Sequence, residues 1–313
     1  MLNRSLAASL IGLALLSGMP VRAADNSFSM AVIAPSDDSA LRQAIIDTDD
    51  DNLAFVVVNG IKATSEACTD ATYLERKILF DNAKNGLVVS LAGSDWTGCK
   101  STAGKSIAIE RLNRLRELFF SEDFSFGATK IPLTRQSSAP KFRSYAENSR
   151  WEFGPVMFAT LNLPSDNNHF LSAAGRNNEF EDRLIANREW LQRLVTVATM
   201  RKMEAIVLFS DSDPLALPAA PVPRRDGYTE MRTQLTHLAG RFHGKILVIH
   251  DDVRPGAGPL GAIRWSKNLG TLAIGSRWVR LHVTPGADMI FGISTSGGVT
   301  SSRSGNEKAA TMK

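Results

Sequence analysis

Short continuous apolar runs alternate along this chain with segments whose apolar residues recur every three or four positions. Residues 28–34, 53–58, 87–91, 156–162, 205–209 and 245–249 are runs of the first kind and read as strands. Runs apolar on both faces suit a sheet covered by helices on each side. Between them, a helix capped by Ser36 or Asp38 runs through about Asp47, and one capped by Thr69 or Asp70 runs through Lys84. Ala108, Leu112, Leu115 and Phe119 mark a third helix. Phe180, Leu184, Leu191, Leu194 and Ala198 mark the longest, over residues 179–202, and residues 228–238 form another. Residues 272–276 and 279–283 read as paired strands closing the domain, with a short strand over 289–293. Residues 121–142, with Pro132 and Pro140, read as a polar excursion or lid. The acidic segment 47–52 lacks the glycine and final glutamate of a calcium loop and reads as a solvated turn. The recurring strand–loop–helix order is that of an α/β protein.

The two ends differ from this pattern. Arg4, the apolar stretch 7–16 and Val21-Arg22-Ala23 make residues 1–23 a secretory signal peptide. One domain then spans residues 24–293, and the Ser/Gly-rich residues 294–313 read as a disordered tail. The signal predicts export, to a periplasm or outside the cell. In that oxidising setting the only two cysteines, Cys68 and Cys99, pair as a disulfide. It would tie the loop after the second strand to the loop after the third. Losing Arg4 and Arg22 with the signal lowers the formal charge from +4 to +2. The remaining arginines lie among carboxylates, as in Arg114-Leu115-Arg116-Glu117, so no nucleic-acid partner is expected. No stretch after the signal is apolar enough to span a membrane.

Candidate chemistry gathers where strands stop, since ligands of open α/β sheets bind at the carboxyl ends of strands. Pro35, Asn59, Asp95, Asp211 and His250 follow the strands as possible neighbours. The loop Ala92-Gly93-Ser94-Asp95 is the first place to look, yet it carries a single carboxylate. His250 with Asp251 and Asp252 is the best acid–base or metal-binding cluster, or else a histidine held by its neighbours in a turn. Asp211 and Asp213 carry the same two readings, because Asp-Ser-Asp-Pro is also turn chemistry. His282 alternates with Leu281 and Val283 and belongs to a sheet surface, while His169, His237 and His243 are structural or solvated. The sequence contains no Gly-x-Ser-x-Gly elbow, and Gly104-Lys105-Ser106 lacks the rest of a phosphate loop.

Several stretches together resemble the calcineurin-like metallophosphoesterase superfamily. They are Ala31-Val-Ile-Ala34, Phe55-Val-Val-Val-Asn-Gly-Ile-Lys62, Cys68-Thr-Asp70, the helical Glu75-Arg-Lys-x-Leu-Phe80, and Trp96-Thr-Gly-Cys99. Trp151-Glu152, Phe158-Ala-Thr-Leu-Asn162 and Lys245-Ile-Leu-Val-Ile-His-Asp-Asp252 extend the likeness to about residue 285. The resemblance implies a four-layer α/β sandwich, two mostly mixed β-sheets flanked by helices, with two metals at the strand ends. The positions implied as metal ligands are altered. Ala34-Pro35 and Asn59-Gly60 stand where Gly-Asp pairs are expected, and Ser94 replaces a ligand amide. Phe209 or Ser210 replaces a histidine, His250 remains, and Arg254 takes a second histidine position. Proline offers no side-chain ligand, asparagine cannot bridge two cations as a carboxylate does, and arginine repels them.

The expectation is a non-catalytic fold without a cofactor, binding a small anionic ligand or a protein partner through Asn59, Ser94, Asp95, Asp211, His250 and Arg254. The alternative is a metal-dependent phosphoesterase with one divalent ion on Asp95, Asp211, His250 and Asp252, in which His250, Asp252 and Asp95 are the catalytic candidates. Asp37 and Asp38 are further carboxylates from which a single-metal site could be rebuilt.

Overall fold

The apolar runs assemble into two sheets. The computed structural model describes residues 26–171, 177–217, 225–251, 260–275 and 278–295. Residues 1–25, which hold the expected signal peptide, and residues 296–313 lie outside them. In chain order the strands are β1 (Phe28–Ile33), β2 (Val56–Asn59), β3 (Leu87–Ser90), β4 (Thr134–Arg135), β5 (Ser149–Phe153) and β6 (Val156–Thr160). They continue with β7 (Ala205–Phe209), β8 (Lys245–His250), β9 (Ile263–Ser266), β10 (Leu269–Ala273), β11 (Trp278–Val283) and β12 (Phe291–Thr295). The helices are α1 (Asp38–Asp49), α2 (Asp70–Asp81), α3 (Ala108–Phe119), the single turn α4 (Ser165–Asn168), α5 (Asn178–Met200) and α6 (Thr229–Ala239).

One sheet has the order β12-β11-β1-β2-β3, the other β4-β5-β6-β7-β8-β10-β9. Both are mixed: β1–β2–β3 and β6–β7–β8–β10 run parallel, and the outer strands pair antiparallel. Period-two alternation then sorts the apolar residues. Met30, Val32, Val57 and Val88 pack between the sheets against Phe158, Val207, Leu247 and Leu272. Ala31, Ile33, Val56 and Val89 face α1, α2 and α3, where Leu41, Tyr73 and Leu112 cover them. Met157, Ile206 and Val248 face Phe180, Leu191 and Leu235 of α5 and α6. The result is the expected layered α/β sandwich, with helices on both outer faces.

Local chemistry differs from the sequence reading at several points. The cap of α1 is Asp37, whose carboxylate accepts from the Ala40 amide at 2.8 Å; Thr69 caps α2. Residues 272–276 and 279–283 do not pair with each other. β10 lies between β8 and β9, and β11 lies between β1 and β12 in the other sheet. Their nearness in the chain suggests a hairpin, whereas the fully buried β10 and the alternating β11 belong to different sheets. β12 extends to Thr295, past the Ser294 at which composition places the tail. The segment 121–142 is no lid over the strand ends. Phe126 bridges Leu87 at the start of β3, and Arg135 reaches β5 through β4, so the segment covers a sheet edge.

The Cys68–Cys99 bridge forms, with Cα atoms 5.8 Å apart. Replacing both cysteines by serine is expected to lower the unfolding free energy by about 2–4 kcal/mol through the freed loop. Urea unfolding of the oxidised protein and the double variant measures this. Coincident midpoints would show that the bridge restrains nothing.

Candidate functional site

The carboxyl ends of both parallel strand sets meet at one edge. Asn59, at the end of β2, donates its side-chain N–H to the Ser210 carbonyl after β7 at 2.9 Å, linking the sheets. Gly60 then turns the chain at φ 106°, a conformation costly for residues with a Cβ. A Cβ added there would lie 3.1 Å from the Ala92 Cβ and 3.6 Å from the Pro35 ring. Pro35, Gly60 and Ala92 thus make a close apolar contact at the ends of β1, β2 and β3. In the resemblance, side-chain ligands were implied at this place.

Asp95 is fully buried and turned toward the α2 side. One carboxylate oxygen accepts from the Ile61 and Lys62 amides at 2.8 and 3.1 Å, and the other from the Ala92 amide at 2.8 Å. Its carbonyl accepts from the Tyr73 hydroxyl at 2.8 Å. Burial pushes the Asp95 carboxyl up to about 7, opposed by those amides and by Lys62. Burial in turn lowers the Lys62 ammonium, which donates to the carbonyls of Ala63 and Glu66. Ser94 donates to the Lys62 carbonyl at 3.0 Å. Asp95, Ser94 and the disulfide therefore hold the loop after β2 against the loop after β3.

Asp211 does the same work between the sheets. One of its oxygens accepts from the Gly93 amide at 2.6 Å and the Ser165 amide at 2.5 Å. Gly93 permits this approach, since a Cβ there would sit 2.8 Å from Ser165 Oγ and 2.9 Å from that carboxylate oxygen. Asp37 is the α1 cap, and Asp38 is held by Arg42 and Arg76, which keep its carboxyl below the usual range.

His250 belongs to a different surface. Leu247 and Ile249 point between the sheets while Ile246 and Val248 point to the helices, so alternation puts His250 on the helix side with the latter pair. There its Nε2 lies 3.6 Å from an Asp213 carboxylate oxygen, and an Arg264 nitrogen lies 3.9 Å from the same oxygen. Asp95, Asp211 and His250 are thus brought to one edge but not to one point. Among the described residues, no three His, Cys, Asp or Glu side chains converge closely enough to hold a metal ion. Asp252 and Arg254 lie outside the described residues.

The sequence reading missed a buried polar network at the end of β6. Glu147 takes a bidentate pair from Arg116 at 2.6 and 2.8 Å, and accepts from Asn162 at 3.0 Å. Asn148 bonds Gln136, Asn187 and the Asn162 amide. Next to it, Asp166, Asn167, Asn168 and His169 all have φ between 54 and 60°, making α4 a left-handed turn. Asp and Asn tolerate this region better than most residues, though a run of four is unusual. Arg183, wholly buried, holds it: its guanidinium donates to the Asn168 side chain and carbonyl, to the Asn162 carbonyl and to Glu179. Trp96 packs edge-on to His169, ring centres 4.8 Å apart. The usable signals were Asp166-Asn-Asn-His169 itself, and Arg183 and Asn187 standing on the apolar face of α5.

Comparison with protein-family models and with curated proteins finds no match. Among solved structures, the chain is similar to the crystal structure of TT1561 of Thermus thermophilus at 9% identity. The likeness covers 86% of this chain and 98% of that one, with a TM-score of 0.45.

Proposed function

We propose that this is an exported, non-catalytic α/β sandwich protein of the calcineurin-like metallophosphoesterase type, which binds a small anionic ligand or a protein partner at its strand edge. The observation that carries this reading is the engagement of the edge carboxylates. Asp95 accepts three backbone amides, and one oxygen of Asp211 accepts two. These amides already take both oxygens of Asp95 and one of Asp211, which leaves few lone pairs at the edge for a cation. The two-metal chemistry implied by the resemblance, which needs ligands shared by ions roughly 4 Å apart, does not fit Pro35, Asn59 and Ser94. The single-ion alternative fits little better, because Arg264 places a cation beside the Asp213–His250 pair.

The test is hydrolysis of p-nitrophenyl phosphate and bis-p-nitrophenyl phosphate by purified protein with magnesium, manganese or zinc. No turnover above the metal-only rate is expected. Metal-dependent turnover abolished by His250→Ala and by Asp252→Ala would overturn the non-catalytic reading.

A further inference from the structure

At the opposite end of the sandwich, the amino ends of β1 and β2 border a pocket of about 410 Å³. That lies within the roughly 300–1,000 Å³ of small-molecule sites. Its walls include Phe28, Phe153, Ser29, Asn52, His282 and Thr284, and its described lining includes no carboxylate, ammonium or guanidinium. Phe153 is 41% exposed and packs on Phe28 with ring centres 4.6 Å apart. Phe55 and Phe158 stand behind the pair, at 6.1 and 6.2 Å, so the aromatic wall is fixed rather than adaptable.

The polar wall is also oriented. His282 Nδ1 lies 2.8 Å from Ser29 Oγ and Nε2 lies 2.9 Å from Ser294 Oγ. A neutral imidazole donates at one nitrogen and accepts at the other. One serine therefore accepts a hydrogen bond from the ring N–H and keeps its own O–H to offer, while the other donates its O–H to the ring nitrogen and offers only lone pairs. Burial and the nearby Arg280 lower the His282 pKa and favour the neutral ring. Arg280 itself is paired with Asp51, which leaves its charge satisfied outside the pocket.

An exposed aromatic face beside hydroxyl, amide and imidazole groups, with no charge, matches a molecule that has one apolar C–H face and a rim of hydroxyls. We propose that this pocket binds a neutral polyhydroxylated ligand of one or two sugar rings, stacked on Phe153 and hydrogen-bonded to Asn52, Ser29 and Thr284. The absence of a cation from the described lining argues against a phosphorylated or carboxylated ligand, which would desolvate its charge without a partner. The site is separate from the strand edge and stands or falls independently of the function proposed there.

Saturation-transfer NMR and calorimetry on the purified chain, with glucose, galactose, N-acetylglucosamine and maltose as probes, test this. At least one probe is expected to bind with a dissociation constant of about 1 mM or tighter. Phe153→Ala and His282→Ala are each expected to weaken it about tenfold, and glucose 6-phosphate is expected to bind no tighter than glucose. Phe153 is only partly exposed, so a single cooperative melting transition is the check that its variant keeps the fold; Asn52→Ala gives an exposed probe of the polar wall. No binding of any of the four sugars at about 10 mM would overturn the proposal. So would binding unaffected by Phe153→Ala, or tighter binding of the phosphorylated sugar.

Discussion

Asp95→Ala is expected to be among the most destabilising single substitutions in this chain, lowering the unfolding free energy by about 3 kcal/mol or more. The amides of Ile61, Lys62 and Ala92 would each lose an acceptor in a buried setting, at about 1–3 kcal/mol for each group left unsatisfied. Asp95→Asn removes the titration, and with it one of the two amide-accepting oxygens. Folding raises the Asp95 pKa from the ordinary value near 4 to about 7, so the folded state holds a proton that the unfolded state releases first. The stabilisation from this group is complete below about pH 4 and disappears as pH rises through about 7. Urea unfolding between pH 4 and 8 should show the parent protein losing stability across that window relative to Asp95→Asn. Parallel curves would mean that the carboxyl is ionised throughout.

The second large effect is expected at Arg183. Arg183→Met keeps much of the side chain's length but leaves Glu179, the Asn162 carbonyl and both acceptors of Asn168 without their donor. Breaking a buried charge pair from one side costs about 3–5 kcal/mol. The loss should be local first. Four left-handed residues persist only where surrounding contacts determine them, so residues 165–170 should become the earliest site of proteolytic cleavage. A variant as stable and as protease-resistant as the parent would show that the bonds of Gly227 to Asn167 and Asn168 are sufficient.

Much of the architecture was readable because apolar runs bury in only a few ways. Residues 205–209 match β7, residues 245–249 form all but the last residue of β8, and the face Ala108, Leu112, Leu115 and Phe119 is the buried face of α3. Strand partners were less legible. The run 269–273 is buried throughout and the run 278–283 alternates, yet only the partners available in space assign them to different sheets. β5 escaped notice because Ser149-Arg-Trp-Glu-Phe153 alternates at half strength, and its polar members Ser149 and Arg150 sit among other side chains.

The candidate site was legible as a location but not as chemistry. A sequence lists Asp95, Asp211 and His250 as equivalent ionisable groups. It does not state that two of them are occupied by amides remote in the chain, or that strand alternation turns the third to the other face. Cys68 and Cys99 were the exception, because pairing of the only two cysteines needs no knowledge of the fold.

The placement of β1 next to β11 and β12 has a kinetic meaning. Phe28 is in register with Val283, so the first and last described strands share a sheet. A chain emerging from its amino end can form β1–β2–β3 and their helices early, but that sheet retains an open edge until almost the last residues arrive. Contacts this distant in sequence slow folding, because the intervening loop must close before they contribute. The seven-stranded sheet lies almost wholly within the interval, so it can order before the first sheet is finished. The pairing of β11 with β1 would then come last, and loss of the segment after residue 277 would expose β1 as a sticky edge rather than merely shorten the molecule.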